Sequence, residues 1–142
     1  MLLQGSYTHK LDAKGRIVLP ARFRDELGDH VVAALVGSSY ISVYPKSEWE
    51  ITVSRLTEAS MSNHEVSAFR RAIIASAHSM EIDSMGRILL PQQLRSRVNI
   101  VQDVSVNGNV EKLEIWDLGV WNEFVSEMYP IPNEVTRLIP GL

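Results

Sequence analysis

Leu11-Asp12-Ala13-Lys14-Gly15-Arg16-Ile17-Val18-Leu19-Pro20 has a near copy later in the same chain. The second writing is Ile82-Asp83-Ser84-Met85-Gly86-Arg87-Ile88-Leu89-Leu90-Pro91, displaced by 71 residues from Asp12 to Asp83. Asp, Gly, Arg, Ile, Leu and Pro recur in order, and Arg24 and Arg95 carry the register four residues past each proline. Self-similarity on this scale is the mark of one supersecondary unit built twice.

The unit can be read from its residues. Extended segments precede it, from Gln4 to Leu11 and from His78 to Ile82, with partial alternation such as His78, Met80 and Ile82 against Ser79 and Glu81. Asp12 and Asp83 open tight turns, because a short carboxylate accepts backbone N–H groups two residues on. Gly15 and Gly86 permit the positive φ that such turns need. Ile17-Val18-Leu19 and Ile88-Leu89-Leu90 are strand formers. Pro20 and Pro91 end those strands and suit the first turn of a helix. Each unit therefore reads as strand, tight turn, strand, short helix.

At 142 residues the chain suffices for one well-cored domain or two small halves that complete each other. A hydrophobic content of 45% and a mean hydropathy of −0.03 predict a soluble globular protein. There is no cysteine, which excludes a disulfide framework and a thiolate metal site. No apolar run approaches the roughly 20 residues of a membrane helix, and no basic-then-apolar leader opens the sequence. The expected location is cytoplasmic.

Fourteen cations against seventeen acids give a net charge of −3, which at first sight disfavours a polyanionic partner. The distribution reverses that impression. Residues 1–24 hold Lys10, Lys14, Arg16, Arg22 and Arg24 against Asp12 alone, and residues 84–97 hold Arg87, Arg95 and Arg97 against no acid. A local basic face on an acidic protein suits an anion met at one surface.

The remaining segments repeat too. Arg22 to Leu27 predicts a short helix stopped by Gly28. Val31–Val36 and Tyr40–Val43 predict a hairpin around Gly37-Ser38-Ser39, answered by Val101–Val106 and Val110–Trp116 around Asn107-Gly108-Asn109. Tyr44 and Trp49 recur as Trp116 and Trp121 with a spacing of 72, one residue longer than in the motif. Ser47 with Glu50 and Ser62 with Glu65 predict capping boxes for two connecting helices. Asp117 predicts the cap of a third helix over Leu118–Met128. Its aromatic stripe and those of the connecting helices read as core or subunit interface. The proline-bearing tail from Tyr129 excludes a long helix.

The pattern Asp-x-x-Gly-Arg-Ile-x-Leu-Pro-x-x-x-Arg resembles the signature of the AbrB-type swapped-hairpin superfamily. Two copies in one short chain, with helices between and an aromatic-bearing helix after, resemble the MraZ family of bacterial transcriptional regulators associated with the division and cell wall gene cluster. The resemblance runs from Gly5 to about Met128. It implies an α+β fold in which two pseudo-twofold AbrB-like repeats interleave in one β-core. The divisions would be repeat 1 at 5–47, connecting helices at 48–76, repeat 2 at 77–120, and a C-terminal helix and tail at 121–142. It further implies a ring-shaped homo-oligomer, associated with the nucleoid, that binds direct repeats in double-stranded promoter DNA and represses its own operon.

Residue by residue, the family's motif falls on Asp12 with Arg16 and on Asp83 with Arg87. The arginines would meet phosphate or guanine. Lys14, at the first turn's tip, would add a phosphate contact, whereas its counterpart Met85 would not. Asp12, Gly15, Asp83 and Gly86 shape the turns. Arg22, Arg24 and Arg95 either touch phosphate or cap the short helices. An exposed Asp–Arg pair that merely staples a turn contributes about 0–1 kcal/mol, a weak reason to write the motif twice.

No enzymatic role is expected, because no nucleophile–base pair or phosphate-cradling loop is legible. His9, His30, His64 and His78 lack metal-ligand spacing, so neither metal nor cofactor is expected, nor a small-molecule substrate or a membrane. The alternative to a regulator is an antitoxin-type protein-interaction module.

Overall fold

A computed structural model describes residues 2–142. In chain order its elements are β1 (Ser6–Lys10), β2 (Arg16–Val18), α1 (Ala21–Leu27), β3 (His30–Ala34), β4 (Tyr40–Pro45), α2 (Lys46–Ser60) and α3 (His64–Ser76). The second half adds β5 (His78–Glu81), β6 (Arg87–Leu89), α4 (Gln92–Arg97), β7 (Asp103–Asn109), β8 (Lys112–Asp117), α5 (Leu118–Met128) and α6 (Asn133–Thr136). The architecture is α+β, with a six-stranded sheet ordered β1-β7-β8-β4-β3-β5 and a two-stranded ribbon of β2 and β6.

β3 pairs with β4 and β7 with β8 inside their own halves, while the remaining pairings cross between halves. β1 pairs with β7 of the second half, and β5 pairs with β3 of the first. β2 runs antiparallel to its own counterpart β6, with Ile17 opposite Ile88. β4 likewise meets its counterpart β8, with Ser42 opposite Glu114. Residues related by the repeat thus face each other at both crossing points, which places a local twofold axis through the module. The motif's turn does not close a hairpin between β1 and β2. β1, β2, β5 and β6 thus find their ladder partners in the other half.

Burial explains the pairing. Ile17, Leu19, Ile88 and Leu90 point inward and are at most 1% exposed. They meet Phe23 and Leu27 of α1, Leu94 of α4, and the inward faces of the large sheet, including Val31, Ile41, Val43, Val104, Leu113 and Ile115. Tyr7 meets Phe23 edge-to-face at 5.2 Å. On the sheet's other face, Trp121 and Phe124 of α5 pack on Trp116, and Trp49 of α2 packs on Tyr44.

Three local expectations are corrected. The second hairpin turns at Val110-Glu111, because Asn107, Gly108 and Asn109 belong to β7. The N-terminal segment causes the shift. Leu3 and Val110 exchange backbone hydrogen bonds of 2.9 Å each, and Gly108 donates to the Gly5 carbonyl at 2.8 Å. A Cβ on Gly108 would strike the Leu3–Gln4 backbone. The Ser47–Glu50 capping box does not form, since α2 starts at Lys46 behind Pro45 with no side-chain cap. Asn63, rather than Ser62, caps α3, accepting from the Val66 N–H at 3.1 Å. The Asp117 cap of α5 forms as read, accepting from the Val120 N–H at 3.1 Å. Beyond α5 the tail holds only the four-residue α6. Among the described residues, no helix is long and apolar enough to cross a membrane.

Candidate nucleic-acid interface

Each motif turn is built around its aspartate. Asp12 Oδ1 accepts from the backbone N–H of Lys14 and of Arg16, both at 2.9 Å. Its Oδ2 accepts from Arg16 Nε at 2.7 Å. The Gly15 N–H closes the turn onto the Asp12 carbonyl at 3.0 Å, with Gly15 at φ 85°. The second turn repeats this. Asp83 Oδ1 accepts from the N–H of Met85 and Arg87 at 2.9 and 2.8 Å, and Oδ2 accepts from Arg87 Nε at 2.8 Å. The Arg16 backbone N–H is the foremost influence holding the Asp12 carboxyl below the usual range, with the Arg16 guanidinium and the Lys14 N–H adding to it. The Arg87 N–H and guanidinium, with the Met85 N–H, do the same for Asp83.

The carboxylates therefore stay ionised and clamp one edge of each guanidinium. Nε of Arg16 and of Arg87 is engaged, while the terminal nitrogens of both have no hydrogen-bond partner among the described residues. Both side chains are partly exposed, at 31% and 23%. A guanidinium oriented through Nε, with its terminal nitrogens available, can make the forked contact that suits phosphate or guanine.

The ribbon brings the two arginines together. In the β2–β6 register, Arg16 lies opposite Leu89 and Val18 opposite Arg87. Directly opposed residues share a face, so all four side chains lie on the side away from Ile17 and Ile88. The arginines occupy diagonal positions, about 7–8 Å apart at the backbone. The ladder extends beyond both strands, with Leu19 N–H on the Gly86 carbonyl and Leu90 N–H on the Gly15 carbonyl. Val18 and Leu89 are 43% and 51% exposed. They were absent from the sequence-derived site, although alternation against the buried Ile17 and Ile88 points to them.

The flanking cations are placed differently. Lys14 and Met85 stand exposed at equivalent turn positions. Arg22 donates to the Tyr7 hydroxyl at 3.0 Å. Arg24 and Arg95 cross between repeats. A Cβ on Gly15 would lie 2.7 Å from Arg95 Nη2, and one on Gly86 would strike the Arg24 guanidinium. Each of these arginines thus lies against the turn glycine of the opposite half. Arg95 Nε donates to the Leu90 carbonyl at 2.9 Å, whereas the buried Arg24 Nε has no hydrogen-bond partner among the described residues.

The fold and this face define a two-repeat α+β protein with one paired-arginine β-ribbon. The family model described as "MraZ protein, putative antitoxin-like" matches residues 2–72 and again 73–138. The chain belongs to the MraZ family. A Transcriptional regulator MraZ from Mycolicibacterium smegmatis is 41% identical over 120 residues, covering 84% of each chain. The protein of that name from Thermoanaerobacter pseudethanolicus is 39% identical over 123 residues, 87% of this chain and 86% of that one. The one from Carboxydothermus hydrogenoformans is 34% identical over 136 residues, 96% and 95% of the two chains.

Proposed function

We propose that this chain is a sequence-specific DNA-binding transcriptional regulator with AbrB-like interleaved repeats. It acts in the cytoplasm at the nucleoid and represses its own operon through direct repeats in the promoter. One observation carries the reading: Arg16 and Arg87 share the outer face of a single ribbon, each held through Nε by its own aspartate. The relatives' name, Transcriptional regulator MraZ, supports it. Lys14 adds a phosphate contact on one side only, because Met85 occupies the matching position. That difference suits a site without internal twofold symmetry. Arg22 supplies a further phosphate contact. Arg24 and Arg95, lying against the opposite turns, hold those turns in place for Arg87 and Arg16.

The protein works as a ring homo-oligomer. α5 is the repeat counterpart of α2, yet α2 packs against the thirteen-residue α3, whereas among the described residues α5 is followed by the four-residue α6. Phe124, Met128, Tyr129, Ile131 and Leu138 are exposed on α5 and the tail, apolar side chains that a neighbouring copy would cover. Several modules on successive DNA repeats gain through effective concentration, which offsets the few cations each presents. A protein-interaction role of antitoxin type is the second reading. It is favoured by the family's description and by the same apolar tail.

The test is binding to the DNA upstream of the chain's own gene, against scrambled DNA, across a salt series. Arg16→Ala and Arg87→Ala should each weaken binding by about fivefold to 150-fold, the equivalent of about 1–3 kcal/mol for a bidentate base contact. Equal affinity for both DNAs, with variants matching the parent, would refute the regulator and favour the protein-interaction role.

A further inference from the structure

Val18 and Leu89 present two branched aliphatic side chains to solvent on the same ribbon face as Arg16 and Arg87. They are related by the repeat, and each lies directly across the ribbon from the other half's arginine. Their neighbours Ile17 and Ile88 already supply the ribbon's core contacts at 0% and 1% exposure, so burial does not account for the outer pair. A ribbon whose outward positions only met water or phosphate would gain from polar residues there. Two aliphatic side chains, each directly opposite a guanidinium, are instead complementary to a surface that offers anionic or hydrogen-bond-accepting groups beside apolar ones.

The major groove of DNA has that character. It admits a two-stranded β-ribbon, its edges are phosphate, and its floor carries one apolar group, the C5-methyl of thymine. Resting on the DNA-binding reading above, we infer that Val18 and Leu89 read thymine methyls in the major groove. Arg16 and Arg87 anchor beside them on guanine or phosphate. The apolar pair thereby adds base discrimination that the arginines do not supply. The two side chains differ in length, so the halves of the ribbon prefer different thymine positions. Burial of one methyl against an aliphatic side chain corresponds to about a fourfold change in affinity.

The test uses the full-length protein and a duplex that it selects from random sequence in vitro. That duplex is then rebuilt with deoxyuridine in place of each thymine, which removes the methyl and leaves the pairing edge unchanged. The parent should bind the uracil duplex about fourfold more weakly per methyl read. Val18→Ala/Leu89→Ala should bind the thymine duplex more weakly, lose the thymine–uracil difference, and keep the parent's thermal midpoint. Equal binding of both duplexes by the parent overturns the inference while leaving DNA recognition intact. So does a selected site without thymine, or a double variant that alters the protein's solution mass but not its preference for thymine. Failure to enrich any sequence overturns the DNA-binding reading itself, and with it this inference.

Discussion

Gly15→Ala tests whether the two repeats are braced through Arg95. Gly15 sits at φ 85°, where an L-residue costs about 1–2 kcal/mol relative to glycine. Its new Cβ would stand 2.7 Å from Arg95 Nη2 and 2.9 Å from Cζ, too close for either atom to stay. Displacing the guanidinium breaks the 2.9 Å bond from Arg95 Nε to the Leu90 carbonyl, a loss of about 1 kcal/mol. The single variant should therefore lose about 2–3 kcal/mol of unfolding free energy. Arg95→Ala alone should lose about 1 kcal/mol. The double variant should fall short of the sum by about 1 kcal/mol, because the same hydrogen bond cannot be lost twice. The assay is urea denaturation of all four proteins at one concentration. Strict additivity in the cycle, or a Gly15→Ala cost no greater than the left-handed φ alone, would refute the brace.

The acid response and the second hairpin give two further tests. Both motif aspartates have folded pKa values below the ordinary 3.8, so the stability they confer is complete above that value and is lost as pH falls through the lower folded values. Asp12→Asn/Asp83→Asn should show a shallower loss of thermal midpoint than the parent as pH falls below the ordinary carboxylate value of 3.8. Parallel curves would remove the clamp from the account. Val110 holds φ 64° at the first position of a two-residue loop and is half exposed, so Val110→Gly should raise stability by about 1 kcal/mol in urea denaturation. A destabilised variant would mean that the Val110 side chain contributes more than its strained backbone costs.

The features legible in the residues are the local ones. The Asp-x-x-Gly-Arg turn closes through hydrogen bonds spanning two to four residues, so the motif alone specified both turns and the clamping of Arg16 and Arg87. Asp117 announced α5 for the same reason, as one side chain meeting an N–H three residues on. The repeat also showed that whatever one half does, the other does too. Long-range packing sets which partners those pieces take. Backbone hydrogen bonds carry no residue identity, so no stretch of β2 states that it pairs with β6 rather than with β1. That choice comes from burying Ile17, Leu19, Ile88 and Leu90 in one shared core. The same long-range packing displaced the second hairpin's turn, since Leu3, over a hundred residues away in sequence, supplies the bonds that hold Val110. It set Arg24 and Arg95 against turns 62 and 80 residues distant, at Gly86 and Gly15. The face that joins Arg16, Val18, Arg87 and Leu89 exists only after β2 and β6 meet, because each repeat contributes half of it.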